Sequence, residues 1–410
     1  VGIKVDLCDT YTPTPIISWA VRNNPYQLGI ILSASHNPPN YNGIKINDAN
    51  GAPAAIAITQ PIQDAANALL ETITDPPPLD TTTISRVNYT DTFITHLNTL
   101  LTDTFNLDII PWQIPYIIDC KCGSAIDVWQ AITANASAPM HWLNDNHSPD
   151  FNFEQPNPTS PATIAQLSKL ATEHNTIAFS NDPDADRHVV IDEQGDHISP
   201  EKLTAIIIHY CVTHNITIHS VATTLANSQL VNAICEHHTI PVTQTKIGFK
   251  YFTPMLSSAA GQQKLSIGVE SSGGFSISNH TLDKCGFLPI FLAIAISKKR
   301  QTPLHALSKE IDTLCGTFEF VEDGIPFTQA QQATLDTLRT ADTDHLSTVF
   351  NAPVSNVITE DGLKIVFASN DWVLCRPSGT EPLLRIYAES KDTATAKAYI
   401  DVVKGMVGAD

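Results

Sequence analysis

The sequence predicts an α/β fold divided into several domains, and three observations carry that reading. The chain has 410 residues, too many for one ordinary hydrophobic core, so roughly three or four domains is the natural division. Hydrophobic residues make up 42% of it, enough for a large folded interior and against global disorder. Apolar runs of strand length alternate with amphipathic stretches of helical length from end to end, which is the pattern of layered α/β units rather than of an all-α or all-β chain.

The first block, residues 1–80, opens on a strand-like alternation over residues 2–7 with Ile3, Val5 and Leu7 on one face. A native start rarely falls inside an element, so further sequence upstream is expected. A helix over 15–23, a strand over 29–32 and a helix over 60–70 follow, and Asp75-Pro76-Pro77-Pro78 reads as a stiff linker. The second block, 81–195, starts with an amphipathic helix over 89–101. It continues with strands over 116–119 and 176–179 and a helix over 161–172 between them. In the third block, 196–302, Ser199-Pro200-Glu201 starts a helix running to residue 212. The last block, 303–410, holds strands over 363–368, 372–375 and 384–387 and a closing helix over 393–407.

Composition excludes several classes of function. With 42 acidic against 23 basic residues the formal net charge is −19, a field that repels nucleic acid and anionic membranes. It would also repel a phosphorylated metabolite unless local cations reverse the sign, so the few Lys and Arg positions are informative. No apolar run approaches the ~20 residues of a membrane span, and no secretory leader is visible. The eight cysteines form no C-x-x-C pair, so neither disulfides nor a zinc site is expected, and the chain reads as cytoplasmic.

Four loops carry chemistry, with a weaker fifth segment at 245–250. Ser33-Ala34-Ser35-His36-Asn37-Pro38-Pro39-Asn40-Tyr41-Asn42-Gly43-Ile44-Lys45 follows the apolar run 29–32, so a serine is presented on a stiffened, exposed turn with a lysine ten residues on. A Ser/Asn-rich strand-to-turn junction would give the same local pattern. Asp182-Pro183-Asp184-Ala185-Asp186-Arg187 places carboxylates at i, i+2 and i+4 in a non-helical loop, where they can converge on one hard cation. An EF-hand is the rival, with Glu193 at position twelve. Against it, Arg187 stands where that loop needs Gly, and the flanks look like strands. A solvated acidic turn is the plainer alternative. Gly268-Val269-Glu270-Ser271-Ser272-Gly273-Gly274 suits sugar hydroxyls, and Thr245-Lys246-Ile247-Gly248-Phe249-Lys250 could steer an anion. Each of these two is weak alone. Cys375-Arg376-Pro377-Ser378-Gly379-Thr380-Glu381-Pro382, with Arg385 beyond, makes an anion cradle from hydroxyls, a Gly amide and two guanidinium forks.

Taken in this order, the loops resemble those of the α-D-phosphohexomutases, the phosphoglucomutases and phosphomannomutases. Lesser likenesses lie at Thr12-Pro13-Thr14-Pro15, Pro156-Asn157-Pro158 and Gly248-Phe249-Lys250. The resemblance covers essentially the whole chain. It implies four domains around a central cleft: three similar α/β/α units and a smaller C-terminal sheet-plus-helix unit. It also implies reversible phosphoryl transfer between O1 and O6 of a hexose phosphate through a hexose 1,6-bisphosphate, with glucose 1,6-bisphosphate as primer. By position, Ser35 is the phosphorylated residue, and Asp182, Asp184 and Asp186 with an oxygen of Ser35 hold Mg²⁺. Lys45 is the acid/base, with a pKa expected to be depressed by a nearby cation, and His36 and Arg187 contact phosphate. Gly248, Lys250, Glu270 and Ser272 face the sugar, while Arg376, Ser378, Gly379, Thr380 and Arg385 grip the non-reacting phosphate. The partner is a small hexose phosphate, with no nucleic acid or membrane, and assembly is as monomer or homodimer.

The chain departs from the family pattern in three places. The family's opening strand and arginine loop upstream of Gly2 are absent, so an incomplete first domain is expected. Cys285 stands where a second Asp is usual, and some relatives carry His at Gly274. The competing readings are a non-catalytic or truncation-inactivated sugar-phosphate binder, a phosphoglucosamine mutase, and a phosphatase. The Pro38-Pro39-Asn40-Tyr41 run is more like the glucose/mannose branch.

Overall fold

The computed structural model describes residues 3–72, 81–378 and 382–408; the Asp75–Pro78 linker, Gly379 and Thr380 lie outside them. The first unit contains β1 (Val5–Cys8), α1 (Thr14–Asn23), β2 (Gly29–Leu32), β3 (Ile44–Asn47) and α2 (Ile56–Leu70). Pro15 sits in the first turn of α1, where its missing N–H costs nothing, and Ile16, Ala20 and Val21 form its buried face. β2 and β3 pair antiparallel with Ile31 opposite Lys45, so the serine loop becomes the tip of a hairpin and Lys45 returns beside its base. β1 forms as expected, but Ile3, Val5 and Leu7 are exposed, as are Ile30, Leu32 and Ile44 on the hairpin, and α2 buries none of its residues.

The second unit begins with β4 (Ile84–Val87), which pairs in parallel with β1 and so ties the two units together. It continues through α3 (Thr90–Thr99), β5 (Ile117–Asp119), α4 (Ala125–Thr133), β6 (His141–Leu143), α5 (Pro161–His174), β7 (Ala178–Asn181), β8 (His188–Ile191) and β9 (His197–Ile198). The sheet order is β6-β5-β7-β8-β9, parallel through β7 and antiparallel beyond it. β5 and β7 are wholly buried, as expected for strands covered on both faces. The Ser160 hydroxyl caps α5 and Pro161 occupies its first position. Because β7 and β8 form a tight hairpin with Asn181 opposite His188, residues 182–187 must turn sharply. The flanks are strands and Glu193 accepts from the Leu304 and His305 amides, so the EF-hand reading fails.

The third unit holds α6 (Pro200–Thr213), β10 (Ile218–Thr224), α7 (Leu230–His237), β11 (Val242–Thr245), α8 (Thr253–Gly261), β12 (Leu265–Val269), β13 (Phe275–Ile277) and α9 (Phe287–Arg300), with sheet order β11-β10-β12-β13. Every residue of α9 from Phe287 to Ile296 is buried, which marks a helix surrounded by protein. It joins Trp129, Phe179 and Tyr210 in one core shared by the second and third units. α10 (Leu304–Cys315) packs into the same core through Leu304, Leu307 and Ile311.

The last unit comprises β14 (Glu319–Pro326), α11 (Gln329–Leu338), α12 (Thr343–Phe350), β15 (Val354–Ile358), β16 (Leu363–Phe367), β17 (Trp372–Pro377), β18 (Leu383–Ser390) and α13 (Thr393–Met406). Its sheet is antiparallel in the order β14-β18-β17-β16-β15. Trp372, Leu374 and Tyr387 pack against Leu225 and Ala226 of the third unit. The buried Lys364 ammonium donates to the Leu225 carbonyl at 2.6 Å and lies 3.8 Å from the Trp372 ring centre. All eight cysteines are free, and among the described residues no helix is long and apolar enough to cross a membrane.

Candidate active site

The β2–β3 hairpin delivers Ser35 to the acid loop of the second unit. Ser35 has φ +54°, a left-handed conformation that costs a non-glycine residue on the order of 1 kcal/mol or more and is kept only where the surroundings enforce it. The enforcement is visible: the Ser35 amide donates to Ser33 Oγ at 2.8 Å, and Ser33 Oγ donates to Asp184 Oδ2 at 2.7 Å. The Ser35 hydroxyl then points at Asp182 Oδ2, 3.1 Å away. Thr14 at the start of α1 locks the same loop, its amide on the Asp184 carbonyl at 2.9 Å and its hydroxyl on Asp184 Oδ2 at 3.0 Å.

Asp182, Asp184 and Asp186 are buried, and each offers a carboxylate oxygen within 4.8 Å of the others. Asp184 Oδ1 and Asp186 Oδ1 are buried without a hydrogen-bond partner. An all-oxygen set with orphaned buried acceptors beside a hydroxyl suits a small hard cation such as Mg²⁺. Burial, then the Asp186 and Asp184 charges, push the Asp182 carboxyl up to about 8. For Asp186 burial alone would act the same way, but Lys284, Lys45 and Arg187 outweigh it and hold the group below the usual carboxylate range. The two carboxyls are thus shifted in opposite directions.

Lys45 reaches Asp184 Oδ2 at 2.5 Å and Asp186 Oδ2 at 2.7 Å. Burial would lower its pKa, but Asp186, Asp184 and Asp283 overcome it and raise it well above the ordinary value. The sequence-based expectation of a depressed lysine is therefore reversed. Its nearest charged neighbours are acids, and Lys45 carries a proton ready to donate. His36 is held neutral, pushed down to about 3 by burial and then by Arg187 and Lys284. Arg187 can only donate, so its Nη1–H···Nε2 contact with His36 at 3.5 Å fixes the tautomer. The Nδ1–H then donates to Ser35 Oγ at 3.3 Å.

The sugar loop lies directly against this centre. His188 donates Nδ1–H to the Gly273 carbonyl at 2.6 Å and its amide to the same oxygen at 3.2 Å. Gly273 has φ +93°, and a Cβ there would lie 2.6 Å from the His188 carbonyl oxygen, so only glycine permits the approach. Glu270 is buried, its pKa raised by burial despite Lys284 and Arg187, and Ser272 is half-buried beside it. Lys284, which the sequence did not single out, stands 3.3 Å from Asp186 Oδ2. A Cβ on Gly274 would lie 2.5 Å from the Lys284 side chain, so that lysine fills the space a larger residue at 274 would need. Cys285 is buried at the entry to α9.

On the last unit Arg376 and Arg385 are direct cross-strand partners on β17 and β18. The Arg385 charge reaches His36, and Arg385 Nη1 donates to Glu322 Oε1 at 2.9 Å. Arg376 Nε lies 3.3 Å from Asp361 Oδ1, and the Ser378 amide donates to the Leu383 carbonyl. Gly248 has φ +130°, and Lys250 Nζ sits 5.3 Å from the Tyr251 ring centre. Thr14, Ser33, Lys284 and Asp361 were missed as site residues because their roles come from contacts far apart in sequence. The Thr12-Pro13-Thr14-Pro15 likeness was the one local hint.

A strained serine facing a buried acid triad, with the 268–274 loop and an arginine pair around it, is an arrangement that suits metal-assisted phosphoryl transfer. The domain models of one family match along the chain. Phosphoglucomutase/phosphomannomutase alpha/beta/alpha domain I matches residues 1–72, domain II 91–195, domain III 199–314, and the C-terminal domain 330–405. The chain is 28% identical to a phosphoglucomutase of Komagataeibacter xylinus over 97% of its own length and 77% of the relative's. It is 25% identical to a phosphoglucosamine/phosphogalactosamine mutase of Sulfurisphaera tokodaii, covering 96% and 83%. A crystal structure described as a putative phosphomannomutase from Thermus thermophilus shares the fold with TM-score 0.75 at 22% identity, covering 99% and 84%. The chain belongs to the phosphoglucomutase/phosphomannomutase family, the α-D-phosphohexomutases. It is an enzyme of that isomerase class, acting on hexose phosphates.

Proposed function

We propose that the chain interconverts glucose 1-phosphate and glucose 6-phosphate through phospho-Ser35 and glucose 1,6-bisphosphate. The observation that carries this is the Ser35 hydroxyl, held at φ +54° and 3.1 Å from Asp182 inside the acid triad. In one half-reaction the Oγ–P bond of phospho-Ser35 breaks as a bond forms from phosphorus to a sugar hydroxyl oxygen. In the other, Ser35 Oγ takes a phosphoryl group back from the opposite end of the bisphosphate. In the first half-reaction the sugar hydroxyl loses a proton and Ser35 Oγ gains one; in the second Ser35 Oγ loses it and the released sugar oxygen gains one. The protonated Lys45 relays it by giving up its own proton and taking another in each step. His36 Nδ1–H and Arg187 orient the transferring group. Glu270 and Ser272 hold ring hydroxyls, and Gly248 and Lys250 face the same sugar. Arg376, Ser378, Gly379, Thr380 and Arg385 grip the phosphate that does not react. Asp182, Asp184, Asp186 and Ser35 would hold Mg²⁺, which supplies charge neutralisation for the transferring phosphoryl group. The bisphosphate must turn over in the cleft, so the phosphate grip accepts either end.

The test is a coupled assay for glucose 1-phosphate conversion with Mg²⁺ and a trace of glucose 1,6-bisphosphate, run beside mannose and glucosamine 1-phosphates. Turnover that needs both additives, and that falls by roughly three orders of magnitude or more in Ser35→Ala, is expected. Substantial turnover in folded Ser35→Ala sinks the mechanism, and preference for the amino sugar moves the substrate.

A further inference from the structure

The phosphate arginines sit on a different unit from the loop that carries Lys250, and one carboxylate joins the two. Asp361 lies at the tip of the β15–β16 hairpin. Its Oδ2 accepts the Ile247 amide of the third unit at 2.7 Å, while its Oδ1 lies 3.3 Å from Arg376 Nε. The tip is seated closely enough to aim that carboxylate. Gly362 has φ +107°, and a Cβ there would lie 2.5 Å from the Cys375 carbonyl oxygen and 2.6 Å from Arg376 Cβ. Arg339 Nε donates to the Gly362 carbonyl at 3.3 Å from the other side. Arg376 and Arg385 also repel each other as cross-strand neighbours, and Arg376 faces Asp361 while Arg385 pairs with Glu322.

We propose that Asp361 is a positioning residue of the phosphate grip. By holding the Ile247 amide with one oxygen and Arg376 with the other, it orients the guanidinium fork only when the loop at 246–250 is docked. The contact at Nε is an ion pair and not an aligned hydrogen bond, so Asp361 holds the guanidinium by charge at short range. The inference rests on the mutase reading of the cleft. Charge alone argues the opposite outcome, because removing an acid beside a phosphate site strengthens anion attraction. The sign of the effect therefore separates positioning from field.

Asp361→Asn keeps an acceptor for Ile247 but sets an amide donor against a guanidinium donor, and Asp361→Ala removes both contacts. Each is compared with wild type in KM and kcat for glucose 1-phosphate, glucose 6-phosphate binding by calorimetry, and thermal midpoint. The expected result is a KM and Kd raised about tenfold or more, with kcat changed far less and the midpoint nearly constant in Asp361→Asn. The effect should largely vanish on an Arg376→Ala background, since the two act as one unit. An unchanged or lowered KM, or an effect fully additive with Arg376→Ala, overturns the proposal. A wild type that binds glucose 6-phosphate without turning it over refutes the mutase reading, and the calorimetric comparison still decides the role of Asp361. A wild type that does neither overturns both.

Discussion

Glu201 is a buried carboxylate outside the catalytic centre whose cost can be worked from the structure. It lies in the first turn of α6, with Oε1 accepting from Asn227 Nδ2 at 3.0 Å and from the Ser228 amide at 3.2 Å. Burial pushes its pKa from the ordinary 4.5 up to about 7; those hydrogen bonds pull it down and Glu389 adds to the rise. Between pH 4.5 and 7 the folded chain therefore binds more protons here than the unfolded chain. Stability from this group is complete below pH 4.5 and is lost as pH rises toward 7. At about 1.4 kcal/mol per pH unit the loss is on the order of 3 kcal/mol. Glu201→Gln keeps an acceptor without the charge. Its thermal midpoint should match wild type near pH 5 and exceed it by several degrees at pH 8. A difference independent of pH, or a variant less stable at pH 8, would refute the reasoning.

Other perturbations probe the site itself. A Cβ on Gly286 would meet the Arg187 carbonyl oxygen at 2.2 Å and Asn181 Nδ2 at 2.3 Å. Gly286→Ala should therefore displace the acid loop at a cost of about 1–3 kcal/mol or more and weaken Mg²⁺ binding at least tenfold; an unchanged Mg²⁺ titration would exclude this. Adding Mg²⁺ to chelator-treated protein should raise the thermal midpoint, as any ligand of the folded state does, and Asp184→Asn should abolish the rise. Persistence of the rise in that variant would place the cation elsewhere. Burial pushes His188 down to about 4 from 6.5, against its bond to Gly273. Its contribution is present above pH 6.5 and is lost, by about 3 kcal/mol, as pH falls toward 4. His188→Gln should flatten that acid slope in the midpoint, and identical slopes in variant and wild type would contradict it.

What the sequence made legible was local. Ser199 and Pro200 marked the start of α6, and a strand followed by Pro, Asn and Gly marked the serine hairpin. Acids at i, i+2 and i+4 between strand-like flanks marked the acid loop, because such spacing converges only off a helix. Contacts that form across the chain were not legible. Nothing around Lys284 announces that it faces Asp186, and nothing near Asp361 announces that it spans two units. The direction of the Lys45 shift was misjudged for the same reason: sequence showed a cation nearby, whereas folding brings Asp184, Asp186 and Asp283 closer. The alternation of Ile3, Val5 and Leu7 identified a strand correctly, yet alternation cannot say what lies over the face, and here that row is exposed.

The charge arrangement explains how a chain of formal net charge −19 can select a phosphorylated sugar. Asp182, Asp184 and Asp186 face Lys45, Lys284 and Arg187, and burial with the neighbouring acids raises the Asp182 pKa. Those three cations offset the three acids locally, against the field of the whole molecule. In the mechanism proposed above, a cation would bind the deprotonated carboxylates. A divalent cation together with a phosphoserine of about −2 charge would then offset each other there. Either alone leaves an uncompensated charge where little solvent screens it. The backbone makes that balance sensitive to position. Gly123 lies against Pro183, Gly286 against Arg187 and Gly273 against His188, each so closely that a Cβ would approach a backbone oxygen within 2.6 Å. The acid loop is therefore held from its own unit and from the third by backbone contacts, while Thr14 and Ser33 of the first unit fix Asp184. A shift in any one of these contacts would move carboxylates relative to cations, and the local balance of charge would weaken with it.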